Sequence, residues 1–193
     1  MKKIFIQSLK MFFLMTLLTG IIYPLFITVF GQLLFYHQAN GSMILKGEKL
    51  IGSKLIGQNF ADSIYFHPRP SVITYNPMPS GASNLALSSA TLHEQVNYRK
   101  KIFKEENYLV DTVLIPSEII FASGSGVDPH ISKEAAILQI PRIIKSRLLN
   151  SEDSKKVFNL ITSQTESRQF GILGSEVVNV LELNIKLDEL IKW

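Results

Sequence analysis

The chain has 193 residues, no cysteine and a formal net charge of +4 at pH 7. The missing cysteines exclude disulfides and thiol chemistry. Three of the 20 basic residues lie within the first ten positions, and the other 17 nearly balance the 16 acidic residues. Binding to nucleic acid requires concentrated basic charge, so this composition argues against that class of partner.

The first long element is the apolar segment Met11–Tyr36, which has 26 residues and no charged side chain. As a helix with a rise of about 1.5 Å per residue it would be about 39 Å long, whereas the bilayer hydrocarbon is about 30 Å thick. A cleaved signal peptide has an apolar region of only about 7–15 residues. A buried helix of a soluble protein would not need apolar side chains all round. We therefore predict an uncleaved transmembrane helix over 11–36, with a bend near Pro24.

The charges on either side of this segment predict its orientation. Lys2, Lys3 and Lys10 precede it, whereas Gln38–Leu45 carry no charge. Because lysine and arginine favour the cytoplasmic side, residues 1–10 are expected to be a cytoplasmic stub. Residues 37–193 would then form one extracytoplasmic domain, which for a bacterial inner membrane means a periplasmic domain.

After the anchor the chain changes between short apolar pieces and irregular stretches. Lys49–Phe60 is divided by glycines and predicts strands and tight turns. Tyr65–Ser71 and Asn76–Asn84 are dense in Pro, Gly, Ser and Asn, so their backbone is expected to be irregular. A loop of this length in a compact domain is usually functional or packed against something.

Helical spacing returns at Leu92–Glu106, where Thr91 and Glu94 have the spacing of a capping box. A second helix is predicted over Ser132–Leu149, with Ser132 as its N-cap and a kink at Pro141. The predicted apolar face of this second helix holds Ala136, Ile140, Ile144 and Leu148.

Glu152 and Asp153 suit the first turn of another helix that reaches about Gln164, because acidic groups are favourable near a helix N-terminus. The final segment, Val177–Trp193, begins with β-branched residues and continues with helical spacing. One transmembrane helix followed by such a mixture predicts an α+β class, with a single mixed domain outside the membrane.

Ser123–Ser132 is the segment most suggestive of a binding site. Its glycines free the backbone, and a helix N-terminus follows, so exposed N–H groups there would suit an anion. The candidate nucleotide or anion loop contains Ser123, Gly124, Ser125, Gly126, Asp128, His130 and Ser132. The Gly-Lys-Ser/Thr ending of a P-loop is absent. The alternative is a tight turn in which Asp128 and Ser132 accept hydrogen bonds from backbone donors.

A tethered serine hydrolase using Ser125 and His130 is the alternative enzyme hypothesis. The nucleophile elbow requires glycine two residues before and after the serine, and Ser125 has Ser123 and Val127 there. The four histidines are scattered and match no common zinc spacing. We therefore predict no catalytic residue, no metal site and no tightly bound cofactor.

Six motifs then occur in one order along the chain. They are LIGQNF (Leu55–Phe60), YFHPRPS (Tyr65–Ser71), SGASNLA (Ser80–Ala86), ASGSGVDPHIS (Ala122–Ser132), QIPR (Gln139–Arg142) and VVNVLELN (Val177–Asn184). Together with the single N-terminal span they resemble the C subunit of the Kdp high-affinity potassium-transporting P-type ATPase of bacteria. The chain departs from that family's pattern at Pro68 and Ala82, where the family usually has glycine.

The resemblance implies an accessory role beside three partners: a channel-like subunit that selects potassium, a P-type subunit that hydrolyses ATP, and a very small membrane subunit. It implies help with assembly or stability of the complex. It also implies a catalytic chaperone that raises the ATP affinity of the pump subunit, with direct contact to ATP left open. The chain itself lacks the DKTGT phosphorylation motif and a TVGYG filter motif. Because the lysine asymmetry places the domain where ATP is scarce, we favour that orientation over direct ATP contact.

The irregular stretches offer a candidate subunit interface made of Tyr65, Phe66, Arg69, Ser80 and Asn84. Tyr65, Phe66 and Arg69 are large side chains of the kind that dominate interfaces. The family role suggests docking on the channel-like subunit. On this hypothesis an exposed Arg69 would be needed for assembly and not for the fold. In the alternative, water molecules form the hydrogen bonds that the backbone polar groups of these loops require.

Overall fold

The structure is a computed structural model that describes residues 1–191. Two compact units are present, one from Met1 to Ile51 and one from Gly52 onward, and each is described by itself. The first unit begins with one long helix, Lys2–Leu34, of 33 residues and mean hydropathy 2.1. Its length and composition are sufficient to cross a membrane, as the sequence predicted for the shorter range 11–36.

The long helix has three parts: α1 (Lys2–Leu17), a π-helical turn (Leu18–Ile22) and α2 (Tyr23–Leu34). The π-helical turn lies directly before Pro24, whose ring and missing N–H disturb the regular hydrogen-bond ladder. The helix ends at Leu34, two residues before the predicted end, because Phe35 has φ −131° and ψ 43°. A short helix follows, α3 (Tyr36–Ala39).

Two hydroxyl groups inside this helix are satisfied locally. Thr19 Oγ1 donates to the Met15 carbonyl at 2.7 Å, and Thr28 Oγ1 donates to the Pro24 carbonyl at 2.8 Å. Such bonds to the preceding turn remove the need for water as a partner. The two threonines are therefore compatible with an apolar surrounding.

Two short strands, β1 (Met43–Lys46) and β2 (Lys49–Ser53), form a hairpin after the long helix. Gly47 in its turn has φ +64°, a conformation that glycine adopts at no steric cost. Residues 54–89 follow without a helix or strand in this described part of the chain. Of the strands predicted over Lys49–Phe60, only Lys49–Ser53 is one, and the prediction is wrong for residues 54–60, which form a turn and irregular backbone. The long irregular region is confirmed.

The rest of the second unit mixes helices with a small sheet. The helices are α4 (Ala90–Glu106), α5 (Ser117–Ile120), α6 (Lys133–Ile137), α7 (Ile140–Ser146), α8 (Ser151–Gln164) and α9 (Val180–Leu190). The strands are β3 (His130–Ser132), β4 (Thr165–Glu166) and β5 (Val177–Asn179). Strand β5 lies in the middle and pairs antiparallel with β3 and β4. The α+β class is confirmed.

The core of this unit lies between the sheet and the helices. Its fully buried members include Phe66, Ile131, Ala135, Ile143, Val157, Ile161, Val178, Leu183 and Leu187. Burial of apolar area contributes about 25 cal/mol per Å², so these side chains are the main source of its stability. All but Phe66 come from helices or strands, so Phe66 joins the irregular region to the core.

Several predicted helix boundaries need correction. Helix α4 begins at Ala90 after the N-cap Ser89, so Thr91 lies inside the helix and the predicted capping box is wrong. The helix predicted over 132–149 is two helices, because Pro141 cannot donate to the preceding turn. Helix α7 ends at Ser146, and Leu148 has φ +52° and is 87% exposed, so it does not belong to an apolar face.

Other boundaries agree with the sequence. Ser132 is the N-cap of α6, and its Oγ accepts a hydrogen bond from the Ala135 amide at 3.1 Å. The helix predicted to end at Gln164 is α8, and Asn150 caps it by accepting from the amides of Glu152 and Asp153. The strand followed by a helix predicted over 177–193 is β5 and α9, although Lys192 and Trp193 lie outside the described residues.

Candidate functional site

The motif loops of the second unit are joined to one another through their backbones. The Gly57 amide donates to the Val127 carbonyl at 2.7 Å, and the Ser123 amide donates to the Pro70 carbonyl at 3.0 Å. A Cβ at Gly57 would lie 2.6 Å from the Asp128 carbonyl oxygen, so only glycine permits this approach. We refer to residues 55–84 and 122–129 together as the loop layer.

An ion pair also joins the two parts of the loop layer. Arg69 Nη1 donates to Asp128 Oδ2 at 2.7 Å, and Arg69 Nε donates to the Glu118 carbonyl at 3.3 Å. Both side chains are largely shielded, at 24% and 29% exposure. Burial alone would raise the pKa of Asp128, but hydrogen bonds from His130 and Arg69 lower that pKa to about 2. Asp128 is therefore ionised, and Arg69 is held inside the layer.

Two buried amide side chains bond to both the N–H and the C=O of Phe66 and of His67, as the backbone of a neighbouring β-strand would. Asn184 of α9 accepts from the Phe66 amide at 2.8 Å and donates to the Phe66 carbonyl at 3.0 Å. Gln139 accepts from the His67 amide at 2.7 Å and donates to the His67 carbonyl at 3.1 Å. The backbone groups of an irregular segment are thereby satisfied in the interior. These pairs lock the loop layer onto the helices.

Arg142 extends this network. Its Nη2 donates to Gln139 Oε1 at 2.7 Å, and its Nε donates to Asn107 Oδ1 at 3.0 Å. Its Nη1 lies 2.6 Å from His67 Nε2. Burial lowers the pKa of Arg142 to about 10, which leaves it protonated at pH 7.

Because Arg142 is protonated, His67 must accept at Nε2. The Asp62 carbonyl oxygen lies 3.1 Å from the same nitrogen. It could accept a hydrogen bond only from the tautomer that carries its proton on Nε2. Burial, followed by the nearby Arg142 charge, lowers the pKa of His67 to about 4. His67 is therefore neutral at pH 7, and its proton lies on Nδ1.

A similar cluster surrounds Tyr65. Its hydroxyl donates to Asp188 Oδ2 at 3.0 Å, and Arg147 Nη2 donates to Asp188 Oδ1 at 2.7 Å. The Arg147 guanidinium also lies 5.2 Å from the centre of the Tyr65 ring. Burial, together with the hydrogen bond to Asp188, raises the pKa of the Tyr65 hydroxyl. Tyr65 is therefore fixed by internal contacts.

These contacts change the candidate subunit interface. Phe66 is 0% exposed and belongs to the core, so its assignment as a surface anchor is wrong. Tyr65 and Arg69 are half-buried and already bonded within the chain, so the premise that Arg69 is a free exposed side chain is also wrong. Ser80 and Asn84 are exposed, and their place in an interface stays a prediction.

Several amides of the candidate anion loop are engaged inside the protein. The amides of Val127 and His130 donate to Ser125 Oγ and Asp128 Oδ1, at 3.2 and 3.0 Å. The Ser132 amide donates to Glu118 Oε1 at 3.3 Å. Carboxylates thus occupy positions where a phosphate would need to bind. This geometry agrees with the tight-turn alternative, and contact with ATP stays a prediction from family resemblance.

The residues of this loop are divided between the interior and the surface. Ser123 and Gly126 are buried, whereas Gly124 and Ser125 are exposed. Asp128, His130 and Ser132 line a cleft of about 250 Å³ together with Arg69, Glu118 and Glu176. The carboxylates of Glu118, Asp128 and Glu176 face the single guanidinium of Arg69 in this cleft, which disfavours binding of an anion.

The hydrolase hypothesis finds no support in this geometry. Ser125 Oγ accepts from the Val127 amide, and the ring of His130 lies 3.6 Å from Asp128. No hydrogen bond joins Ser125 to His130 among the described residues, so a nucleophile is not paired with its base. Within residues 1–191 no group of three or more His, Cys, Asp or Glu side chains could hold a metal ion.

Comparison with known proteins decides the family. The family model described as "K+-transporting ATPase, c chain" (KdpC) matches residues 5–189. This chain belongs to the KdpC family. It is 43% identical over 187 residues to the potassium-transporting ATPase KdpC subunit of Geotalea uraniireducens, covering 95% of this chain and 96% of that protein. It is 46% identical over 184 residues to the KdpC subunit of Rhodospirillum rubrum, covering 94% and 93%.

The matches extend to other bacteria. The KdpC subunit of Escherichia coli O157:H7 is 42% identical over 186 residues, covering 95% of this chain and 96% of that protein. The resemblance found in the six motifs is thus confirmed over almost the whole chain. Homologous KdpC proteins are subunits of a potassium-transporting ATPase, which makes this chain a subunit of that kind of complex.

Sequence reasoning missed the residues that organise this KdpC-family domain. Gln139, Arg142 and Asn184 lie in quoted motifs, yet no role was assigned to them. A usable signal was present, because amide and guanidinium groups within otherwise apolar helices must find partners when they are buried. No local sequence pattern indicated that those partners lie in the loop layer.

Proposed function

We propose that this KdpC-family chain is a non-catalytic, single-pass subunit that presents a rigid extracytoplasmic surface to the other Kdp subunits. The observation that carries the proposal is the use of buried polar groups. Gln139, Arg142 and Asn184 bond to an irregular loop layer rather than to an open reactive centre. Such a layer loses little entropy on association because it is already ordered.

The long helix supports anchoring in the membrane. The helix is long enough to cross the hydrocarbon, and its side chains are exposed along its length. Lys2, Lys3 and Lys10 at one end support a cytoplasmic N-terminus in the inner membrane. The domain from residue 37 onward would then lie in the periplasm.

The proposed partners are those that the family resemblance implies: the channel-like potassium-selective subunit, the P-type ATPase subunit and the small membrane subunit. Docking on the channel-like subunit, on the side from which potassium arrives, suits a domain outside the cytoplasm. Its proposed role is to assemble and stabilise the complex.

An effect on the ATP affinity of the pump subunit belongs to the same family role. With the domain outside, such an effect would have to pass through the partner subunits rather than through contact with nucleotide. The engaged amides and the acidic cleft at Ser123–Ser132 support this choice. We therefore propose no ATP site on this chain.

The test is potassium-stimulated ATP hydrolysis by the purified transporter, prepared with and without this chain. We expect activity only when the chain is present, and no hydrolysis of ATP or of an ester by the chain alone. Two results together would contradict the proposal. The isolated chain would hydrolyse ATP or an ester and lose that activity in Ser125→Ala, and the transporter without this chain would keep its full ATP hydrolysis.

A further inference from the structure

The connection between β4 and β5 is a small ordered hairpin. The Gln169 amide donates to the Leu173 carbonyl at 2.8 Å, and the Leu173 amide donates to the Gln169 carbonyl at 2.9 Å. Two further backbone bonds close the turn, from Ile172 to Gln169 and from Gly171 to Arg168. We refer to residues 169–173 as the apolar tip. Its conformation is held by its own hydrogen bonds.

The apolar tip exposes large hydrophobic side chains. Phe170 is 92% exposed, Ile172 79% and Leu173 58%. Phe170 also has φ +54°, a left-handed conformation that is uncommon for a bulky residue. Exposed apolar clusters on an ordered scaffold mark interaction sites.

The charges around the tip distinguish a protein partner from a lipid surface. Glu166 and Glu176 flank the tip, and Lys54 is bound between Glu166 and Glu182 at 3.0 and 3.1 Å. Arg168 adds a further cation, so the five groups Lys54, Glu166, Arg168, Glu176 and Glu182 have a net charge of −1. Segments that bind anionic bilayers carry clusters of lysine and arginine, each contributing about 1 kcal/mol. The tip lacks that attraction.

We infer that the apolar tip inserts into an apolar pocket on another protein subunit of the potassium-transporting complex, with Phe170 as its central anchor. The inference rests on the proposed function and adds the contact surface. Aromatic side chains in well-packed pockets dominate binding energy at protein interfaces. A preformed turn also lowers the entropy lost on binding.

A matched pair of substitutions tests the tip. Phe170 and Leu148 have similar exposure, 92% and 87%, and similar φ, +54° and +52°. Asparagine tolerates this backbone conformation, so Phe170→Asn and Leu148→Asn should both leave the fold intact. Each full-length chain is co-expressed with the other subunits and purified from membranes through a tag on this chain.

We expect Phe170→Asn to weaken association by about tenfold or more, the loss typical of an interface anchor, and Leu148→Asn to leave it unchanged. Equal recovery of partner subunits by both variants and the unsubstituted chain would overturn the inference while leaving the proposed function standing. Failure of the unsubstituted chain to recover any Kdp subunit would instead overturn the proposed function.

A photo-crosslinking amino acid, p-benzoylphenylalanine, placed at position 170 identifies what the tip touches. The inference predicts an adduct with one Kdp subunit, identified by mass spectrometry, and no such adduct from position 148. Adducts with lipid alone, or the same adduct from both positions, would overturn the inference.

Discussion

Replacing Asn184 tests how the irregular loop layer is held. Asn184 is 1% exposed and forms two hydrogen bonds to the backbone of Phe66. Asn184→Leu keeps a side chain of similar size, so it opens no large cavity. It leaves the buried amide and carbonyl of Phe66 without their partners.

The expected cost follows from these two groups. A buried polar group left unsatisfied costs about 1–3 kcal/mol, so the free energy of unfolding should fall by about 4 kcal/mol. For a unit of this size about 3–5 °C of Tm corresponds to 1 kcal/mol, which predicts a decrease in Tm of about 12–20 °C. Because Phe66 is part of the core, the loss should spread to the whole unit.

The assay is thermal unfolding of the full-length chain in detergent, followed by far-ultraviolet circular dichroism. Hydrogen exchange read by mass spectrometry on peptides covering residues 61–75 reports directly on the Phe66 amide. The control is Asn159→Leu, a change of the same type at an exposed position of α8. If Asn184→Leu has the same Tm as Asn159→Leu, and hydrogen exchange over residues 61–75 is unchanged, the loop layer is not held by the Asn184 side chain.

Three further outcomes are expected. Arg69→Ala should lower the free energy of unfolding by about 2 kcal/mol, because it leaves the shielded Asp128 carboxylate without its partner; chemical denaturation measures the change. For His67, with a pKa of 6.5 when unfolded and about 4 when folded, the unfolded state binds more protons between these values. Stability should be complete above about pH 6.5 and fall by about 3 kcal/mol as pH approaches 4, and His67→Asn should flatten this dependence in denaturation curves. A reporter active only outside the cytoplasm, fused after Trp193, should be active, because the N-terminal lysines favour a cytoplasmic N-terminus.

Each of these outcomes has a clear contrary result. An unchanged unfolding curve for Arg69→Ala would mean that Asp128 is satisfied by His130 and water alone. A pH dependence that survives in His67→Asn, or disappears equally in the exposed-site control His93→Asn, would assign the effect to other groups. Activity of a cytoplasm-only reporter after Trp193 would reverse the topology and restore direct ATP contact as a hypothesis.

The sequence predicted those parts of the fold that have a local cause. The uninterrupted apolar run of the long helix, the N-cap Ser132 and the acidic first turn of α8 each act within a few residues of their position. The motif order also identified the family. These features require no knowledge of which distant segments come together.

The parts that were missed depend on distant contacts. Asn184 and Phe66 are 118 residues apart, and Gln139 and His67 are 72 residues apart. Aromatic and basic residues in a segment rich in proline suggested exposed anchors. Helix side chains instead supply the bonds that an irregular backbone needs in the interior, which draws Phe66 into the core and Arg69 into an ion pair.

The most direct test of the account is the composition of the complex that this chain enters. The full-length chain, tagged and expressed with the other Kdp genes, is purified from solubilised membranes and its partners are quantified by mass spectrometry. The account predicts recovery of the channel-like, P-type and small subunits in one fixed ratio with this chain. Isolation of the chain by itself, beside an active potassium-stimulated ATPase that lacks it, would contradict the account.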